Sequence, residues 1–131
     1  MASKEQTPIH PTGYEPQSGD KKLSRDQVYL DLDQCQVIIH AGKPAQVWVS
    51  LVGRLSDPCH LLRIIVSPLS SGNEINLEVY SLFDPGQACI MVIKEFSIEF
   101  PLGNYPPGKY TVLVNDEQIG AFTCSNSTTL P

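Results

Sequence analysis

From about residue 25 the chain alternates apolar and polar side chains with a period of two, the pattern of a strand that buries one face. In Glu74-Ile75-Asn76-Leu77-Glu78-Val79-Tyr80, the residues Ile75, Leu77 and Val79 point one way and Asn76, Glu78 and Tyr80 the other. The stretch from Glu95 to Leu102 repeats the pattern with Phe96, Ile98, Phe100 and Leu102 inside, and Lys109 to Val114 does so with Tyr110, Val112 and Val114. Gln46 to Val52 is apolar on both faces, with Val47, Val49 and Leu51 on one side and Trp48 and Val52 on the other, which predicts a central strand. Leu61 to Val66 is rich in β-branched residues, and Ser70-Ser71-Gly72-Asn73 supplies the turn of a hairpin into Glu74. Asn115-Asp116 joins two more strands, because both residues tolerate the positive φ of a tight turn; Gly120 in the return strand Gln118 to Cys124 predicts a bulge. Gln27 to Leu32 and Cys35 to Ile39 read as two shorter strands, the second placing Cys35, Val37 and Ile39 on one face.

No segment holds a helical period, and the 11 prolines fall mainly between strands. The pattern predicts an all-β fold, an immunoglobulin-like β-sandwich of about seven or eight strands. The antibody spacing of tryptophan and inter-sheet cysteines is not reproduced. Residues 1–24, with Pro8, Pro11, Pro16, Gly13 and Gly19 and few large apolar side chains, read as a disordered N-terminal arm or linker. The sandwich is expected over residues 25–124, followed by a frayed tail over 125–131.

A chain of 131 residues fits one domain with one core. Its net charge of −5 comes from scattered acids, and the 9 Lys and Arg form no stripe able to follow a phosphate backbone, so nucleic acid is not expected as a partner. Lys21-Lys22 with Arg25 is a short charged group at a domain edge, read as solvated. No apolar run approaches the roughly 18 residues that a membrane span needs.

Four cysteines allow three pairings. Cys59 follows the turn Ser56-Asp57-Pro58 and Cys89 follows Asp84-Pro85-Gly86-Gln87-Ala88; this turn context favours joining Cys59 to Cys89 across one end of the sandwich. Cys35 and Cys124 would then tie the first strands to the last. Stable disulfides belong to oxidising compartments, and the polar start Met1 to Pro8 is no signal peptide. Either the protein is cytosolic, or a signal or lipoprotein leader with a lipid anchor belongs to the native precursor; the four cysteines favour the second, a secreted or cell-envelope protein.

Trp48 to Leu55 followed by Asp57-Pro58-Cys59, then Ala88-Cys89 with Phe96 and Pro107 to Asn115, resembles a family of bacterial exported, lipoprotein-type β-sandwich domains of uncharacterised function. The resemblance covers residues 44–122. It implies export, a disulfide between the two matching cysteines, and no established activity.

Candidate chemistry is sparse. Metal ligands usually come as C-x2-C or H-x3-H pairs on one element, and Cys59, His60, His40 and His10 have no such spacing. Asp31 and Asp33 share a predicted strand face, but a hard cation needs more oxygens than they supply. His60 beside Cys59 suggests a nucleophile and base, yet neighbours on a strand point to opposite sides and a disulfide removes the thiolate. There is no G-x-S-x-G elbow, no phosphate loop and no Cys-x-x-Cys. No catalytic residue, cofactor or metal ligand is assigned.

His10-Pro11-Thr12-Gly13-Tyr14 resembles one loop of immunoglobulin-like cysteine-protease inhibitors, but it lies in the arm and its companion loops are missing. Asn126-Ser127-Thr128 fits a glycosylation sequon in a Ser/Thr-rich tail. Asn104-Tyr105-Pro106-Pro107-Gly108 presents an aromatic ring on a stiff loop, which makes Asn104 and Tyr105 the candidate binding loop; the other reading, that Tyr105 caps the sandwich, is the favoured one. The expected function is a non-catalytic extracellular or cell-envelope binding or accessory module with a protein or glycan partner. The alternatives are a peptidase inhibitor or small hydrolytic enzyme on the same scaffold, and a self-assembly domain that pairs edge strands.

Overall fold

A computed structural model describes residues 12–40, 42 and 45–124. The expected all-β sandwich is present, with nine strands among the described residues: β1 Ser24–Asp26, β2 Tyr29–Leu30, β3 Gln36–His40, β4 Gln46–Leu55, β5 Leu61–Val66, β6 Glu74–Phe83, β7 Lys94–Gly103, β8 Gly108–Val114 and β9 Glu117–Cys124. The larger count has a local cause. β1 precedes the predicted strand from Gln27 to Leu32, which itself is reduced to β2 and runs into a 3-10 turn at Leu32–Gln34 that fixes Cys35 N–H on the carbonyls of Asp31 and Leu32.

In the first sheet β6 carries β5 antiparallel on one flank. Its other flank is shared, with β8 parallel along Glu74–Leu77, β1 antiparallel along Ser81–Phe83, and β9 beyond β8. Among the described residues no strand borders Val79 in the gap, and Asn115 fills it: its Oδ1 accepts from Val79 N–H at 2.8 Å and its Nδ2 donates to the Val79 carbonyl at 3.0 Å. One amide side chain thus supplies the ladder bonds of the missing strand residue. Asn115 and Asp116 sit at φ 50° and 69°, as the turn chemistry predicts. The expected bulge falls one residue before Gly120, since Val112 faces Gly120 while Leu113 faces Gln118, leaving Ile119 unpaired.

The second sheet centres on β4, with β7 on one flank and β3 and β2 sharing the other. Val47, Val49 and Leu51 are fully buried and meet Ile75, Leu77, Val79, Phe100, Val112 and Val114 in the core between the sheets. Full burial of each such side chain contributes about 1.5–3 kcal/mol, so these alternating positions hold the layers together. Gly53 is a point of close approach: a Cβ there would lie 2.4 Å from the Tyr29 carbonyl oxygen and 2.9 Å from the Phe96 ring. Tyr80, predicted to face out, is buried because the Arg25 guanidinium lies 3.9 Å from its ring centroid and covers it while pairing with Glu78.

The arm reading of residues 1–24 is corrected for residues 12–23. The Tyr14 carbonyl accepts from Ile64 N–H at 2.9 Å on the outer edge of β5, and the Tyr14 side chain packs on the core. A 3-10 turn at Ser18–Lys22 then presents Asp20, whose two carboxylate oxygens take Arg63 Nε at 3.0 Å and a terminal nitrogen at 3.1 Å. Both side chains are largely buried, and the bond joins residues 43 apart, a pairing that local composition does not signal. Residues 1–11 and 125–131, including His10, Pro11 and the sequon, lie outside the described residues.

The sheet edges differ in cover. Residues 12–22 close the β5 edge, and β9 packs on β3 where Gly120 leaves room for Val37, 3.2 Å from a virtual Cβ. On β7 only the flank toward β4 is paired, and no backbone group on its other flank has a partner among the described residues.

Candidate functional site

The chain crosses from one sheet to the other at the end where β4 and β6 finish. Residues 56–60 turn from β4 into β5, and residues 84–93 pass from β6 to β7. Asp57 shapes the first turn by accepting Cys59 N–H at 2.9 Å, and Asp84 shapes the second by accepting Gly86 N–H at 2.9 Å. Cys59 and Cys89 are joined in a disulfide that ties these turns together, in the pairing the turn context favours.

Immediately after Cys89 come Ile90, Met91, Val92 and Ile93, exposed by 68, 85, 55 and 62% respectively. Leu61, two residues after Cys59, is also exposed. Consecutive large apolar side chains in water mark a contact surface far better than single ones do. The sequence gives them no period, and an apolar run bounded by turns reads as a buried strand. Only the disulfide and the turn residues hint that the segment lies outside the core.

Below this loop His60 is held between two carboxylates. Its Nδ1 lies 2.8 Å from Asp57 and its Nε2 3.0 Å from Asp26, while the ring stacks on Phe83 at 4.9 Å. Burial of the ring works to lower its pKa, but the hydrogen bonds and charges of Asp57 and Asp26 outweigh it and the pKa is raised. The same hydrogen bond from His60 lowers the Asp57 pKa. With both nitrogens committed, His60 fastens β1 to the 56–60 turn; it does not serve Cys59, whose sulfur is in the disulfide. Asp57, Cys59 and Cys89 converge closely enough to suggest a metal, but bonded sulfurs are not thiolate ligands.

Several sequence-based sites are not assembled. Tyr105 of the expected binding loop is only 8% exposed, with its ring centroid 5.3 Å from Tyr110 and 5.8 Å from Phe122. Burial pushes its phenol up to about 12. The adjoining loop is drawn down by Tyr110, whose hydroxyl donates to the Pro106 carbonyl at 2.6 Å, so Tyr105 caps the core. Asn104 is half-buried, and its Oδ1 has no hydrogen-bond partner among the described residues.

Cys35 and Cys124 are unbonded, against the expected second bridge. Cys35 Sγ is engaged by Val52 N–H at 3.5 Å, whereas Cys124 ends β9 opposite Gly108, and burial raises both thiol pKa values. Asp31 and Asp33 do not share a strand face, because the 3-10 turn intervenes; Asp31 lies 3.8 Å from Arg54. His40 sets its ring edge-on to Trp48 at 5.5 Å, on β3 and away from His60 on its turn.

A shallow cleft of about 740 Å³ crosses the outer face of the first sheet, lined by Arg25, Asn76, Glu78, Tyr80 and Asp116 among others. Its polar groups already satisfy one another: Arg25 pairs with Glu78, and Asn76 and Asp116 exchange two hydrogen bonds. No helix among the described residues is long and apolar enough to cross a membrane.

The fold and this end together define a two-sheet β-sandwich with a disulfide-braced apolar loop. Residues 49–124 match the ORF11 beta-sandwich domain, and the chain belongs to that family. It is similar to the uncharacterized 10.2 kDa protein in HgiCIIM 5'region of Herpetosiphon aurantiacus, 30% identical over 86 residues that make up 65% of this chain and 90% of the relative. The uncharacterized 10.2 kDa protein in HgiEIM 5'region of the same organism is 35% identical over 77 residues, 56% of this chain and 89% of the relative. No solved structure matches the chain.

Proposed function

We propose that the domain is an exported, non-catalytic binding module of the cell envelope or extracellular space, lipid-anchored in its precursor, that holds a protein partner through the loop 90–93. The observation that carries this reading is the set of four consecutive exposed apolar side chains, Ile90 to Ile93, directly after a disulfide that limits their motion. A braced loop loses less conformational entropy when it binds, so contacts made there convert more fully into affinity. An apolar run favours a protein surface over a glycan, whose recognition needs planar polar groups and open aromatic faces. The Cys59–Cys89 bond favours an oxidising compartment.

A photo-crosslinking side chain at Met91, expressed in the source cell, is expected to capture a protein that the same probe at Lys109, on β8, does not. Ile90→Ser with Val92→Ser should abolish capture while leaving the thermal midpoint within a few degrees. Thiol labelling of protein taken without reductant should find two reactive groups after unfolding; four would sink the export reading, and equal capture at both positions would sink the binding reading.

A further inference from the structure

Among the described residues the β5 edge is covered and the β3 and β9 edges approach one another, whereas the outer flank of β7 has no backbone partner. Residues 12–22 lie along β5, and β3 and β9 pack on one another at Val37 and Gly120. Among the described residues no backbone group pairs with the outer flank of β7, whose N-terminal half, Lys94 to Glu99, contains no proline. An open edge is a row of unpaired N–H and C=O groups, which proteins ordinarily block with charge, proline or a covering segment. Here Pro101 and the register shift at Val47/Trp48 interrupt only the far end. The near end runs directly into Ile90–Ile93.

We propose that β7 accepts an added strand from a partner polypeptide, an extended segment that alternates cationic and apolar residues. The inference rests on the binding-module reading and names the chemistry of the partner. The side chains of β7 supply the alternation. Glu95, Ser97 and Glu99 are exposed on the outer face, and neither glutamate has an ion pair among the described residues. Arg54, which faces Glu95 from β4, turns to Asp31 instead.

On the inner face Phe96 and Ile98 are only partly buried and leave apolar surface at the rim. In a ladder, directly opposite residues share a face, so an added strand meets carboxylates on one side and hydrocarbon on the other. Lysine or arginine suits the first row and valine, isoleucine or leucine the second. Main-chain bonds to β7 would give the affinity and this alternation the selectivity, as in other strand-addition complexes. A partner segment of about five to six residues, a usual strand length, fits the proline-free edge, and residues beyond it reach Ile90–Ile93.

The probes are two synthetic peptides of alternating valine with lysine or with glutamate, titrated at millimolar concentration against the full chain and followed by amide hydrogen exchange and NMR shifts. The lysine peptide should protect amides within 94–99, and should bind about tenfold tighter than the glutamate peptide, a ratio that falls as salt is raised. The surface double variant Glu95→Lys with Glu99→Lys, checked for an unchanged circular dichroism spectrum, should reverse the preference. Two versions of the lysine peptide N-methylated at alternate residues should behave differently, since only one phase faces β7: one should lose binding and the other keep it.

Equal binding of both peptides, protection elsewhere than β7, or absence of binding overturns the proposal. So does a dimer by light scattering that protects residues 94–99, because a second copy then occupies the edge. Met91 crosslinking with no peptide effect removes the strand-addition proposal and leaves the binding module standing; peptide protection without Met91 crosslinking removes the loop 90–93 as the contact and supports strand addition at β7.

Discussion

Replacing Cys59 and Cys89 together by serine opens a loop whose ends are 30 residues apart. In the chain-entropy treatment the bond removes disorder from the unfolded state, and a loop of that length corresponds to about 3.6 kcal/mol at 25 °C. With roughly 110 ordered residues, each contributing about 2.1 cal/mol/K to the entropy of unfolding, the melting temperature should drop by about 15 °C. Scanning calorimetry and urea titration of the two proteins, both reduced at Cys35 and Cys124, measure this directly. Because both serines take half-buried sites at a loop end, cavity effects should be small beside the entropy term. Hydrogen exchange supplies an internal control: protection of residues 84–93 should weaken, while the β4 and β6 amides should change only in step with global stability. A drop smaller than about 4 °C, equivalent to about 1 kcal/mol, would refute the claim that the bond acts by restricting the unfolded chain.

Gly53→Ala should destabilise the fold by about 1–3 kcal/mol, since its Cβ meets the Tyr29 carbonyl oxygen at 2.4 Å and must displace β2 or the Phe96 ring; a urea midpoint equal to that of the parent would contradict it. Asn115→Gly keeps the left-handed turn but removes both side-chain bonds to Val79, and should cost about 2 kcal/mol with faster exchange at the Val79 amide. The folded pKa of His60 is raised, so its contribution is fully present below the ordinary imidazole value of about 6.5 and is lost as pH rises through the folded value. Asp57, whose pKa is lowered, contributes above the ordinary carboxylate value and loses that contribution as pH falls through the folded one. Urea midpoints taken from about pH 5 to pH 8 should therefore decline toward the alkaline end, and His60→Phe should flatten that decline. A wild-type midpoint that rises over this range would contradict the assignment.

What was legible in the chain was what short spacing encodes. Alternation placed Ile75, Leu77, Val79, Val112 and Val114 correctly in the core, and the Asn115-Asp116 turn was readable because few residues accept positive φ. The Cys59–Cys89 pairing was favoured because proline turns precede both cysteines. Long-range pairing was not legible. Asp20 and Arg63 fix residues 12–22 through one two-pronged ion pair, and a polar, proline-rich segment looks like a linker until its partner is known.

Tyr105 offered two readings, a binding loop and a cap over the sandwich, and the structure has the cap. A tyrosine ahead of two prolines has the composition of a binding loop, but Tyr110 and Phe122 offer it an apolar contact that water does not. The apolar loop is the opposite case, since Ile90 to Ile93 have the character of core residues yet are exposed in the crossover between Cys89 and β7. His60 shows the same limit: Asp57 is three residues away and visible, whereas Asp26 is 34 away.

The unequal cover of the sheet edges sets a valence. A sandwich with two open edges can template in both directions and grow into a fibre, whereas one with a single open edge is a chain terminator. Residues 12–22, by lying across β5, withdraw one edge of the first sheet from such growth, while β7 of the second sheet stays open to a single strand. Each molecule should therefore take up one partner strand at β7, and loss of the Asp20–Arg63 pair would free the β5 edge as a further acceptor.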